Sequence, residues 1–389
     1  MKRHRYLIAL LAVLAILVAA CGGDDEGSDT TADGGTDTTA DGGTDTTADG
    51  GTDTTEGGTD TTAAGGDGVT IGFSWNNFNE ERWSKFDEPA FVAAIEAEGA
   101  EYIKADAASS AEQQLTDVEN LISQGADVIV ILAQDTQAIL PAVESAAAQG
   151  IPVIAYDRLI EDERALYLTF DNIGVGRIMT EVLFEQVSAG NFAIIKGNGS
   201  DANSDFLREG MEEVIGEAVA AGDITIVCEE YTDDWLAEVA QETMEQCLTQ
   251  NNNDIQAALV ENDGMAGGVV AALEAQGLAG QIPVTGQDGD AAALNRVALG
   301  TQLVSVWKDA RVLGDIAGKA AVALASGTAL ADIPDVTEFE SPGGNTMISI
   351  FLEPNPITQD NLNEVVDAEV ISQEDLCQGV SAGTVEICG

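Results

Sequence analysis

The chain has 389 residues, of which 68 are acidic and 15 are basic, and its formal net charge is −53. Nucleic acid and anionic lipid surfaces are poor partners for so negative a chain, because they carry charge of the same sign. The only histidine is His4, so the chain beyond it cannot form Ser-His-Asp triads, Cys-His nucleophiles or imidazole metal sites. Carboxylates remain as the available acid-base groups, and we expect no cofactor.

Residues 1–20 have the pattern of an export signal. Three basic residues in the first six precede an apolar run at residues 7–18 and the small pair Ala19 and Ala20. A helix of this run is about 18 Å long, too short for a hydrocarbon core of about 30 Å. Cys21 follows the small pair and resembles the cysteine of a bacterial lipobox. This resemblance implies a lipid anchor at Cys21 on the outer face of the cell membrane; the alternative is an ordinary secretory signal.

Residues 21–68 form a low-complexity segment. It repeats a near-octad, TTADGGTD, and contains no large apolar side chain. Such a segment cannot bury enough surface to offset its ordering entropy, so it predicts a disordered tether. A flexible coil of this length reaches on the order of 40 Å.

Four cysteines follow Cys21, an even number in an exported chain. Cys228 ends a strand-like run and Cys247 lies near the end of the helix that follows, while Cys377 and Cys388 bracket the C-terminal tail. We predict two disulfides with these pairings, because each closes a short loop and export favours oxidation. The spacing alone also permits the two other connectivities.

Short apolar runs alternate with Ala- and Glu-rich helical segments from residue 69 onward, and this alternation is typical of parallel α/β sheets. It occurs twice, with a break near residues 171–176, so we predict two doubly wound α/β lobes. The predicted strands lie at residues 69–75, 101–106, 127–133 and 152–157 before the break, and at residues 191–197, 224–231, 257–263 and 283–288 after it.

Polar and aromatic residues follow the C-terminal ends of these strands, where ligands bind in open α/β sheets. All four tryptophans, Trp75, Trp83, Trp235 and Trp307, lie at or just after such ends. Only 5% of the chain is aromatic, so this clustering indicates that they line a binding cleft, although any single one could belong to the core.

A neutral polyol suits this set of side chains. A pyranose stacks its CH faces on indole rings, and its hydroxyl groups bond to the planar groups of Asp, Asn and Arg. The expected cations and anions balance, which argues against a phosphate or carboxylate ligand; they are Arg82, Arg158 and Lys308 against Asp157, Asp201 and Asp288.

Several motifs together resemble the type I periplasmic sugar-binding protein family, and within it the D-xylose-binding proteins of bacterial ABC importers. The motifs are EERW, AYDR, FDN, DDW, AALVENDGMAGG, GQDGD and VWKD, in this order. The resemblance covers residues 69 to about 356. It implies two lobes joined by three crossing strands and closing over a monosaccharide. One lobe is expected at residues 69–170 plus 309–338, and the other at residues 171–308 plus 339–389.

The resemblance also implies the binding residues, by matching motif to motif. They are Arg82, Trp83, Asp157, Arg158, Asp201, Asn203, Trp235, Asn262, Asp288 and Lys308. We expect a monomer that binds xylose or a related aldose without turnover and presents it to an ABC permease.

Two other functions fit the residues. A glycoside hydrolase could use a pair of carboxylates such as Asp157 and Asp288, but neighbouring Arg158 and Lys308 would keep both ionised and unable to act as the acid. A sugar sensor that signals to a receptor would have the same binding site, and the sequence does not separate it from a transport protein.

Overall fold

A computed structural model describes residues 68–389. The predicted signal peptide, the anchor at Cys21 and the tether as far as residue 67 lie outside the described residues. Within residues 68–389, no helix is long and apolar enough to cross a membrane.

The described chain contains thirteen strands and eleven α-helices. The strands are β1 (Thr70–Trp75), β2 (Glu101–Asp106), β3 (Val128–Ile131), β4 (Val153–Tyr156), β5 (Ala165–Phe170), β6 (Gly190–Lys196), β7 (Ile224–Tyr231), β8 (Ala257–Val260), β9 (Gln287–Asp288), β10 (Ser305–Trp307), β11 (Thr337–Glu340), β12 (Thr346–Leu352) and β13 (Asn355–Ile357). The helices are α1 (Glu88–Ala97), α2 (Ala111–Ser123), α3 (Leu140–Ala148), α4 (Asn172–Gln186), α5 (Ala202–Ala221), α6 (Ala237–Gln250), α7 (Asp263–Ala275), α8 (Ala291–Leu299), α9 (Ala310–Ala325), α10 (Asn363–Asp367) and α11 (Gln373–Leu376).

The first lobe is built on a seven-stranded sheet in the order β11-β12-β5-β4-β3-β1-β2. All neighbours are parallel except β11 and β12. Every residue of the central strands β3, β4 and β5 is buried, as expected for strands covered by helices on both faces. Helix α9 packs along α1 on one of these faces, and Gly314 permits the approach, because a Cβ there would lie 2.5 Å from the carbonyl oxygen of Asp87.

The second lobe contains the parallel strands β7-β6-β8 and the strands β9, β10 and β13. A parallel bridge between Ala258 and Val284 links the two groups of strands. Strand β10 is parallel to β9 and antiparallel to β13. A cluster of buried hydrophobic side chains from α4 to β10 forms the core of this lobe.

The chain crosses between the lobes three times. The crossings lie between β5 and α4, between β10 and α9, and between β12 and β13. The sequence-based boundary placed residues 339–389 in the second lobe, but β12 pairs in parallel with β5 of the first lobe. The third crossing therefore follows Leu352, because the free edge of β5 accepts β12 before the chain returns.

Both predicted cysteine pairs are joined in the structure. Cys228 on β7 bonds to Cys247 on α6, with Cα atoms 5.9 Å apart. Cys377 bonds to Cys388, with Cα atoms 5.4 Å apart, and closes the C-terminal tail.

Candidate functional site

A cavity lies between the two lobes, at the C-terminal ends of their parallel strands. The ten predicted binding residues all line it, together with two more residues, Glu80 and Gln287. The first lobe contributes residues that follow β1 and β4. The second lobe contributes residues that follow β6, β7, β8 and β10, and those of β9. The structure thus brings together every residue that the motifs singled out.

Arg82 is fixed from behind the cavity by Asp87. The guanidinium makes two bonds to this carboxylate, Nη2 to Oδ1 at 2.8 Å and Nε to Oδ2 at 3.0 Å, and the hydroxyl of Tyr156 donates to the same carboxylate. A π-helical turn at Trp83–Asp87 makes this contact possible. Residues five apart diverge by about 140° on an α-helix, whereas the wider π turn brings them onto one face.

The cavity side of Arg82 faces two carboxylates, one from each lobe. Its Nη1 lies 3.2 Å from Oδ2 of Asp157 and 3.5 Å from Oδ1 of Asp288. Asp288 Oδ1 also lies 2.9 Å from Nζ of Lys308. These side chains are all at most 8% exposed. Such desolvated ion pairs are strong and directional, so the cavity presents fixed donors and acceptors to a ligand.

Arg158 connects the lobes at the other end of the cavity. Its Nε lies 2.9 Å from Oδ2 of Asp201 in the second lobe, and its Nη2 lies 3.3 Å from Oε1 of Glu80 in the first. Its Nη1 donates to the carbonyl oxygen of Ala133 at 3.1 Å. All three contacts hold the guanidinium plane in one orientation.

Two of the four tryptophans line the cavity, one from each lobe. The indole N–H of Trp83 donates to Glu80 Oε2 at 2.7 Å, and that of Trp235 donates to Asp201 Oδ2 at 3.2 Å. The expectation that Trp75 and Trp307 also line it is wrong. Trp75 is fully buried in the first-lobe core and stacks on Phe73, because residues two apart on a strand share a face. Trp307 packs instead against a hydrophobic cluster formed by α8, β13 and the C-terminal segment after β13.

Two of the three amides that line the cavity, Asn203 and Asn262, sit at the starts of helices, and the third, Gln287, lies on β9. Asn262 caps α7 by accepting from the backbone N–H of Met265 at 2.9 Å. Asn203 lies in the first turn of α5, and its Nδ2 donates to the carbonyl oxygen of Asp157 at 3.2 Å. Asp201 caps the same helix. Asn262 and Asp201 are held by helix-capping bonds, which fix side chains without a ligand. Asn203 is held instead by Asn172, whose Nδ2 donates to Asn203 Oδ1 at 3.0 Å.

Three residues of the cavity lining have a left-handed backbone conformation. Asp157, Trp235 and Asp288 have φ angles of 61°, 57° and 103°, in the left-handed region that non-glycine residues rarely adopt. Asp263 holds the loop after Asp288, since its Oδ2 accepts from the backbone N–H groups of Gly289 and Asp290, each at 3.0 Å. Strain that the surrounding structure maintains is typical of ligand sites.

The charge in the cavity differs from the predicted balance. Glu80 adds a fourth carboxylate to the lining, and Asp87 lies directly behind it. Burial raises the pKa of both groups, although Arg158 and Arg82 oppose the rise. The pKa of Asp157 is lowered instead, since the charges of Arg82, Lys308 and Arg158 outweigh its burial. The equal count of cations and anions is therefore wrong.

Within residues 68–389, no group of three or more His, Cys, Asp or Glu side chains is arranged to hold a metal ion.

Comparison with known proteins identifies the family. A family model described as a periplasmic binding protein domain matches residues 71–329. The chain belongs to the periplasmic binding protein family. The predicted type I architecture of two doubly wound lobes is confirmed, and a chain of this family is a binding protein rather than an enzyme.

Curated relatives of this periplasmic binding protein include two D-xylose-binding periplasmic proteins. The protein of Escherichia coli K12 is 36% identical over 299 residues, which cover 77% of this chain and 89% of the relative. The protein of Haemophilus influenzae is 33% identical over the same shares of the two chains. Among solved structures, an ABC transporter solute-binding protein from Clostridium phytofermentans with bound β-D-glucose has a TM-score of 0.72 and 27% identity, covering 79% of this chain and 99% of its own.

The predicted contacts leave out four residues that shape the site of this periplasmic binding protein: Glu80, Asp87, Asp263 and Gln287. Glu80 opens the EERW motif, yet only the Arg and Trp of that motif were assigned as contacts. Asp263 directly follows Asn262 at the end of the same predicted strand, and Gln287 directly precedes Asp288 in the GQDGD motif, yet neither is among the predicted contacts. Nothing in the sequence indicates the π-helical turn that places Asp87 against Arg82.

Proposed function

We propose that this chain is the substrate-binding component of an ABC sugar importer and binds a neutral aldose, xylose or a closely related sugar, between its lobes. One observation carries the proposal. Both lobes contribute an indole ring and planar hydrogen-bonding side chains to a single cavity, as Trp83 with Asp157 and Trp235 with Asn262 illustrate. Indole rings stack on the CH faces of a pyranose, and the planar groups bond its hydroxyls.

An uncharged ligand suits the electrostatics of the cavity. Each cation already has a carboxylate partner within 3.5 Å, as for Arg82 with Asp87, Arg158 with Asp201, and Lys308 with Asp288. A phosphate or carboxylate ligand would have to displace these partners and leave them buried without a counter-charge, at a cost of several kcal/mol (roughly 3–5 per broken pair). The names of the relatives, D-xylose-binding proteins, favour an aldopentose.

Ligand binding would shift an equilibrium between open and closed lobes. Three crossings form a natural hinge, and contacts across the cleft, such as Gln134 Nε2 to Asp234 Oδ1 at 2.6 Å, hold the lobes together here. A sugar that contacts both lobes favours the closed form, because only that form makes all of its bonds. We propose that a permease recognises this closed form, and that a monomer tethered through a lipid on Cys21 presents it.

A thermal-shift screen of aldopentoses and aldohexoses, followed by titration calorimetry, tests the proposal. We expect micromolar or tighter binding of xylose or a related aldose, with the sugar recovered unchanged. Trp83→Ala should weaken binding at least about tenfold, because it removes the stacking surface of one lobe. The matched control is Trp307→Phe, since Trp307 does not line the cavity.

Absence of any stabilisation across the sugar panel would contradict the proposed function. Equal affinity in the Trp83→Ala variant and the wild-type protein would contradict the site while leaving the class of ligand intact. The anchor is tested separately, since Cys21→Ser should release the protein from the membrane fraction of the cells that make it.

A further inference from the structure

The two indole rings in the cavity are connected by a continuous chain of polar contacts. Trp83 donates to Glu80 Oε2 at 2.7 Å, and Glu80 Oε1 lies 3.3 Å from Nη2 of Arg158. Arg158 Nε lies 2.9 Å from Asp201 Oδ2, which accepts the indole N–H of Trp235 at 3.2 Å. This series of contacts begins on the first lobe and ends on the second, so the two rings are linked through three side chains, those of Glu80, Arg158 and Asp201.

Glu80 is the one residue in this series of contacts that is not among the ten predicted binding residues. Its two carboxylate oxygens are both engaged, one by an indole and the other by a guanidinium. Its side chain is only 11% exposed. A carboxylate held in this way acts mainly on its neighbours, because both of its oxygens are directed at protein groups.

We propose that Glu80 is a positioning residue that sets the spacing of the Trp83 and Trp235 rings and thereby the size of sugar that the closed cleft accepts. This inference rests on the proposed function. The Trp83 side chain has two rotatable bonds, and its hydrogen bond to Glu80 fixes their rotation together with its packing against Trp75 and Arg82. The pairing of Glu80 with Arg158 relates that ring to the second lobe.

Ring spacing matters because closely related sugars differ by one carbon group. D-Glucose is D-xylose with an added hydroxymethyl group. A fitted pocket discriminates even one methylene group by roughly 10- to 200-fold, so the larger group should be discriminated by the ring spacing. A ring that is free to turn makes room for the larger sugar. Loss of the Glu80 contacts should therefore reduce discrimination more than it reduces affinity for the preferred sugar.

The test compares three variants by titration calorimetry with D-xylose and D-glucose. Glu80→Met keeps the side-chain volume and removes both oxygens, and Glu80→Gln keeps an acceptor for the indole N–H. Glu81→Gln is the control, because Glu81 is the neighbouring carboxylate and pairs with Lys85 on the surface. Indole N–H signals of the sugar-bound protein, assigned with Trp83→Phe and Trp235→Phe, report the two rings separately.

Discrimination is the dissociation constant for D-glucose divided by that for D-xylose. We expect Glu80→Met to reduce this ratio at least about fivefold. It should move the indole signals of both Trp83 and Trp235, although Glu80 does not contact Trp235. Glu80→Gln should keep the ratio within about twofold of the wild type, since one good acceptor remains. Glu81→Gln should leave the ratio and both signals unchanged.

An unchanged ratio in Glu80→Met, or a Trp235 signal that does not move, overturns the inference. So does a wild-type protein that binds the two sugars equally. If Glu80→Met does not fold, Glu80→Leu replaces it, because leucine also lacks both oxygens, and an unchanged ratio in that variant overturns the inference. A wild-type protein that binds no aldose defeats the proposed function itself, which is a different result.

Discussion

Replacing Asp288 by asparagine separates the charge of this side chain from its shape. Asp288 Oδ1 lies 2.9 Å from Nζ of Lys308 and 3.5 Å from Nη1 of Arg82. The residue has a φ of 103°, and asparagine tolerates positive φ better than most side chains do. Asp288→Asn should therefore keep the loop in place, whereas alanine would add backbone strain to the lost contacts.

The expected loss of sugar affinity follows from the strength of the hydrogen bonds. A bond to a charged group contributes about 1.5–3 kcal/mol and a neutral bond about 1 kcal/mol, so the charge contributes roughly 0.5–2 kcal/mol. This difference corresponds to a dissociation constant roughly 2- to 30-fold higher. The cations Lys308 and Arg82 also lose a counter-charge, which favours the upper part of the range.

Titration calorimetry of the purified variant near neutral pH measures this loss directly. Asp315→Asn is the matched control, because Asp315 lies on α9, is 44% exposed and pairs only with Lys319 among the basic side chains. Urea unfolding of both variants checks that the fold is retained. A folded Asp288→Asn protein with wild-type affinity would refute the assignment of Asp288 to the ligand.

Three further predictions concern the scaffold around the site. Gly197→Ala should weaken sugar binding and lower the unfolding free energy by about 1–3 kcal/mol, because a Cβ at residue 197 would lie 2.1 Å from the Trp235 ring. Sugar affinity equal to that of the wild-type protein, measured by titration calorimetry, would contradict this. Removing the Cys228–Cys247 bond, which joins residues 19 apart, should lower the unfolding free energy by about 3 kcal/mol, and an unchanged urea midpoint after Cys228→Ser/Cys247→Ser would be inconsistent with it. Burial and neighbouring carboxylates raise the pKa of Asp290 well above its usual value of 3.8. The folded state therefore keeps a proton that the unfolded chain releases, and the unfolding free energy should fall as the pH rises from 3.8 through the pKa of the folded state. Asp290→Asn should reduce the difference between urea midpoints at about pH 5 and about pH 8, and an undiminished difference would assign it to other groups.

Much of the site could be predicted from the sequence, because parallel strands deliver their C-terminal ends to one edge. Apolar runs such as those of β3 and β4 identify buried parallel strands, and the residues that follow them must meet there. Asp157 directly follows the apolar run of β4, and Asn262 closely follows that of β8. Local patterns suffice for this step.

The failures have physical causes of three kinds. Strand alternation places Trp75 on the same face as Phe73, so its side chain enters the core although its position suggested the cleft. The lobe boundary depends on the pairing of β12 with the distant β5, which no local pattern encodes. The contact of Asp87 with Arg82 depends on a π-helical turn, and residues at that spacing would separate on a regular α-helix.

A crystal structure of the protein with D-xylose tests the central claim most directly. We predict one sugar between Trp83 and Trp235, with its hydroxyl groups bonded to side chains of both lobes, including Asp288 and Asn262. Sugar density outside this cavity, or contacts confined to one lobe, would contradict the account.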